Sequence, residues 1–92
     1  MSTDDATREA ARLLASLRSM RADSVPEAEH VLATLEHEPD HDALMGCAAV
    51  LEEIDARMPG GTLAGFVQVR LKTLAGMVNA LLDGTTPTPP AA

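Results

Sequence analysis

Aromatic side chains are almost missing from this sequence: Phe66 is the only one, and there is no Tyr or Trp. Base-stacking platforms, aromatic cages for ammonium groups and sugar-stacking faces all need several π faces, so these binding modes are discounted. Basic residues are missing from the middle of the chain, where residues 22 to 56 hold ten acids and no Lys or Arg. Phosphate backbones bind basic surface, so direct nucleic-acid binding is not expected. Cysteine is reduced to Cys47, which cannot close an intrachain disulfide and suits a reducing compartment. No apolar run approaches the ~18 residues of a membrane span. Asp4 and Asp5 stand where a secretory leader has basic residues. The expectation is a cytoplasmic protein without membrane contact.

What is present is a chain of 92 residues, 46% hydrophobic and 23% charged, with a formal charge of −7. Those proportions belong to a globular domain with one modest, aliphatic core, small enough that self-association is a common route to stability. Four of the seven basic residues, Arg8, Arg12, Arg18 and Arg21, fall in the first helical stretch. They are expected to meet the acids of the second stretch at exposed rims, where each pair contributes little.

The apolar residues follow a helical period in four segments and nowhere sustain the alternation of a strand. The first runs over 4–21, begun by Thr3, Asp4 and Asp5 and kept apolar on one face by Ala6, Ala10, Leu13, Leu14, Leu17 and Met20. The second runs over 25–38, with Ser24 as cap, Pro26 in its first turn and Glu27 reaching back as in a capping box. Its core stripe is Ala28, Val31, Leu32 and Leu35, and Pro39 stops it. Asp40 caps the third, 41–58, whose stripe is Leu44, Cys47, Ala48, Leu51, Ile54 and Met58. Pro59-Gly60-Gly61 breaks the chain before the fourth, 62–83. Short connections between four helices predict an all-α, antiparallel up-down bundle spanning residues 1–83. The Pro- and Thr-rich residues 84–92 have nothing to bury and are expected to form a disordered tail.

The fourth segment carries more apolar surface than a bundle seam requires. Leu63, Val67, Leu71, Leu74, Val78 and Leu81 form one seam, and Phe66, Val69 and Met77 form a second group farther round the helix. Such a helix is either central to the monomer, with three neighbours, or paired with another copy. Phe66, Val69 and Met77 are therefore the candidate interface residues. Gly65 and Gly76 lie on the polar arc, and close approach of another helix is one reason to keep them.

Two motifs suggest chemistry. His37-Glu38-Pro39-Asp40-His41 has the form H-E-x-x-H of zinc metalloproteases, but that pattern needs both histidines on one unbroken helix, and Pro39 sits between them. Ala22-Asp23-Ser24-Val25, followed by Glu29, Val31 and Glu36, resembles the modification site of acyl carrier proteins. That resemblance implies phosphopantetheine on Ser24. The short connection before Ser24, Pro26 two residues after it and the long last two helices depart from the family pattern. Cys47 has no basic neighbour to activate it and reads as a small core hydrophobe. Glu52, Glu53 and Asp55 read as a solvated face, and Arg70 as a partner for Asp55 or for an acid of another protein.

None of this implies a catalytic residue, a cofactor or a metal. The expected function is that of a small acidic, non-enzymatic interaction or regulatory module, probing itself or another protein by helix-to-helix contact, and forming a homodimer. The first rival is an acidic inhibitor or antitoxin that covers a basic partner with the stretch from Asp23 to Asp55. The second is a carrier protein modified at Ser24.

Overall fold

The computed structural model of the chain describes residues 3–57 and 62–84, without the side chains of 62–64. Met58, the Pro59-Gly60-Gly61 break, the Leu63 position of the fourth seam and the tail beyond Gly84 lie outside the described residues. The rest forms four helices, α1 (Thr3–Ser19), α2 (Val25–Glu36), α3 (His41–Ala56) and α4 (Thr62–Asp83), with no strand among the described residues. The fold is the all-α four-helix bundle expected from the helical period.

Each helix packs against two others. α1 lies beside α2 and α4, α3 lies beside α2 and α4, and the backbones of the diagonal pairs are not neighbours among the described residues. The four helices therefore form a ring around one core of Ala6, Ala10, Leu13, Leu14 and Leu17, Ala28, Val31 and Leu35, Leu44, Cys47, Leu51 and Ile54, and Val67, Leu71, Leu74 and Val78. The spacings of three and four that place these residues on one face of each helix also explain their burial. Met20, Leu32, Ala48 and Leu81, expected in the core, sit at its edge, half-buried. Among the described residues no helix is long and apolar enough to cross a membrane.

The first three helices end earlier than the apolar pattern suggests, and the backbone gives the reason for two of them. α1 stops at Ser19 instead of 21 because Arg21 turns into the left-handed region at φ 54°. The Ala22 amide then donates to Leu17 O at 3.0 Å and the Arg21 amide to Arg18 O at 3.1 Å, the paired bonds of a Schellman turn. α2 stops at Glu36 instead of 38, with Glu38 at φ 49° ahead of Pro39, whose ring disfavours helical geometry in the residue before it. α3 closes at Ala56, where the Arg57 amide donates to the carbonyls of Glu53 and Ile54.

The two N-caps differ. Asp40 has extended geometry and its Oδ1 accepts the Ala43 amide at 2.8 Å, as expected. Ser24, at φ −88° and ψ 9°, is outside the extended region from which a side chain reaches the first-turn amides, and it makes no cap hydrogen bond. The expected capping box is absent too: the Glu27 carboxylate turns away to accept from Arg57 Nη1 at 2.9 Å. α2 is started instead by the Ala28 amide on Ser24 O and by Pro26 in the first turn.

Candidate interaction surface

Because α4 has only α1 and α3 as neighbours, the reading of it as a central helix with three neighbours does not hold. Its inner seam is filled by Val67, Leu71, Leu74 and Val78, and none of the described residues covers the second apolar group completely. Phe66 is 73% exposed and Val69 65% exposed, the two most exposed large hydrophobic residues described. Met77 is half-buried and packs on the edge of the core. The three candidate residues thus lie along one side of α4, with Met77 shared between the core and the surface.

Arg70 borders this surface on the α1 side. Its guanidinium lies 3.5 Å from Glu9 Oε1, so its partner is Glu9 and not Asp55. Glu9 is 8% exposed and its other oxygen accepts from Arg12 Nη1 at 3.5 Å. This contact ties α1 to α4 by charge beside an otherwise aliphatic seam. Its signal in the sequence is position: Glu9 follows Ala6 by three residues and precedes Leu13 by four, on the flank of the core stripe. Above it, Ser16 and Ser19 of α1, Met20 just past its end, and Phe66, Val67 and Arg70 of α4 line an open cleft of about 310 Å³. A second cleft of about 540 Å³, at the other end of α1, is lined by Thr3, Asp4, Thr7, Leu35, Glu36 and Glu38 and is walled more by polar than by apolar surface.

The acidic middle is partly neutralised from two directions. Arg18 of α1 donates to Glu29 at 3.2 Å, the rim contact expected between the basic and acidic helices. Arg57, just past the run that lacks basic residues, meets both Glu27 at 2.9 Å and Glu53 at 3.7 Å. The hydrogen bond from its own backbone amide, and then the Arg57 guanidinium, hold the Glu27 carboxyl below the ordinary carboxylate range. Glu52, Glu53 and Asp55 are exposed, as a solvated face requires.

The motif residues fall apart in space or in access. His37 is the C-cap of α2, its Nδ1 2.6 Å from Ala33 O, whereas His41 opens α3 beyond the turn at Pro39. They do not share the helix face that the zinc pattern needs. Ser24 is 4% exposed, so its hydroxyl is not presented for attachment of a prosthetic arm. Cys47 is buried in the core, and burial pushes its thiol above the ordinary value against the opposing effect of a hydrogen bond with Thr34. A thiol shifted in that direction is a poorer nucleophile at neutral pH. No helix backs onto the two glycines of α4: a Cβ built on Gly65 or Gly76 meets nothing within 4 Å, so close packing inside the monomer is not what keeps them.

No protein-family model matches the chain, and neither the curated proteins nor the solved structures compared with it include a match.

Proposed function

We propose that this chain is a small, non-enzymatic interaction or regulatory module that works by helix-to-helix contact and forms a homodimer, with Phe66, Val69 and Met77 at or beside the interface. The observation that carries the reading is the pair Phe66 and Val69, 73% and 65% exposed on a helix whose opposite face already fills the core. Complete burial of a side chain of this size contributes about 1.5–3 kcal/mol. A two-fold contact buries four of them, and at their present exposure that comes to roughly 4–8 kcal/mol. This is on the order of the lower estimates for the cost of bringing two proteins together, so a weak dimer is expected. The free, buried Cys47 suits the reducing cytoplasm, where we place the protein.

Sedimentation or light scattering of the wild type against Phe66→Lys combined with Val69→Lys tests this. Self-association in the high micromolar range, lost in the double variant while helicity is kept, is the expected result. A wild type that stays monomeric rejects the dimer, and a dimer indifferent to both substitutions places the interface elsewhere. The inhibitor reading draws on exposed acids such as Glu52 and Asp55. Against it stand the ion pairs that already engage Glu27, Glu29 and Glu53 within the chain. A basic protein that copurifies from the host and is lost at high salt would favour that reading.

A further inference from the structure

Along α4, Phe66, Val69, Thr73, Gly76 and Ala80 follow one another at steps of three, four, three and four, and all five are exposed. This is the spacing of a coiled-coil seam, on the side of the helix away from Val67, Leu71, Leu74 and Val78. The seam is not uniform. Its N-terminal half carries Phe66 and Val69, and its C-terminal half carries only Gly76 and Ala80. Between them, the Thr73 hydroxyl donates to Val69 O at 2.9 Å, so the polar group of the middle residue is already satisfied within its own helix. At Gly76 a Cβ would meet nothing within 4 Å, which leaves room beside the backbone.

We infer that a second copy of the chain crosses this seam antiparallel, about a two-fold axis close to Thr73. Phe66 then faces the partner's Ala80, Val69 faces the partner's Gly76, and the two Thr73 residues face each other. One register centred on Thr73 sets Phe66 against Ala80 and Thr73 against Thr73 and brings Val69 and Gly76 to within one residue's rise, about 1.5 Å, of each other, large against small at both ends. A parallel pairing sets Phe66 on Phe66 and Val69 on Val69 at one end and Gly76 and Ala80 on their own copies at the other. Helix separation follows side-chain size, so that arrangement forces the helices apart at one end and leaves a gap at the other.

Charge points the same way. α1, α2 and α3 each carry an acid in the first turn, Asp4 and Asp5, Glu27 and Asp42 respectively, and α4 carries none. α4 instead ends on Asp83, exposed at the negative end of its own helix dipole. Asp83 is the next step of the seam after Ala80, and the antiparallel register carries it to the N-terminus of the partner's α4, where its charge is favourable. Symmetry makes the contact twice. A parallel pairing instead puts the two Asp83 residues together.

This arrangement rests on the dimer proposed above, and the experiment separates the two. In a Cys47→Ala background, Thr73→Cys, Phe66→Cys and Ala80→Cys are treated with a short bismaleimide, with circular dichroism confirming that each remains helical. Thr73→Cys should cross-link alone, and a mixture of Phe66→Cys and Ala80→Cys should cross-link at least tenfold faster than either alone. Phe66→Cys and Ala80→Cys each linking to themselves, with no gain on mixing, identifies a parallel pair and overturns the inference. A wild type that is dimeric by sedimentation, with no cross-link at any of these positions, overturns it while leaving the dimer standing. A monomeric wild type removes both. As an independent readout, Gly76→Leu should weaken self-association at least tenfold and Val69→Ala in the same chain should restore part of it; a Gly76→Leu protein that associates like the wild type overturns the register.

Discussion

Gly46 lies within α3 on its exposed side, where a Cβ would meet nothing within 4 Å. Alanine is favoured over glycine inside a helix by about 0.8–1.0 kcal/mol, since glycine loses more backbone freedom on folding and shields the backbone less from water. No neighbouring atom opposes that gain here, so Gly46→Ala should raise the unfolding free energy by nearly the full amount, about 0.8–1 kcal/mol. In a domain of this size that corresponds to roughly 4–8 °C in Tm. Urea unfolding followed by far-UV circular dichroism at two protein concentrations is the assay, because Gly76→Ala provides an internal contrast. In a free protomer Gly76→Ala should give a similar gain, its Cβ also being unopposed. In the antiparallel dimer it adds a methyl group where the partner's Val69 sits, so its gain should shrink as concentration rises while that of Gly46→Ala does not. A Gly46→Ala protein no more stable than the wild type would refute the reasoning and show that the outer face of α3 is itself packed against something in solution.

The two N-caps should respond differently to alanine. Asp40→Ala removes the acceptor of the Ala43 amide and should cost about 1 kcal/mol, whereas Ser24→Ala, which loses no cap bond, should cost less than about 0.5 kcal/mol; equal costs in denaturant titrations would contradict this. Glu27 has its carboxyl pKa depressed from 4.5, so its stabilising contribution is complete above that pH and is lost as pH falls through the lower folded value. Glu27→Gln should therefore lower the urea midpoint at neutral pH, and the difference from wild type should close only below pH 4.5; a difference that persists unchanged into strong acid would exclude the pair with Arg57 as its source. Arg70→Met leaves the nearly buried Glu9 with Arg12 alone and should cost roughly 1–2 kcal/mol, less than a fully buried pair because Arg70 is itself partly exposed. Adding Glu9→Leu should recover much of that loss, and strictly additive effects in the double-mutant cycle would show that the two residues do not interact.

The four helices, most of their core residues, the Asp40 cap and the stop at Pro39 were legible in the chain because each depends on residues within one or two helical turns. A spacing of three and four selects a face, and a carboxylate three residues before an amide can cap it, whatever the rest of the protein does. The local sequence also marked Phe66, Val69 and Met77 as apolar residues outside the main seam. It could not say that α4 has two neighbours and not three, since that depends on the order of helices around the core. Nor could it pair Arg70 with Glu9 or Arg57 with Glu27, residues brought together only when distant helices pack side by side. The second of those pairs also takes up the Glu27 carboxylate that a box around Ser24 would have used. Tertiary packing decided where each charge finds its partner and which apolar side chains stay outside, because both follow from which helix faces meet.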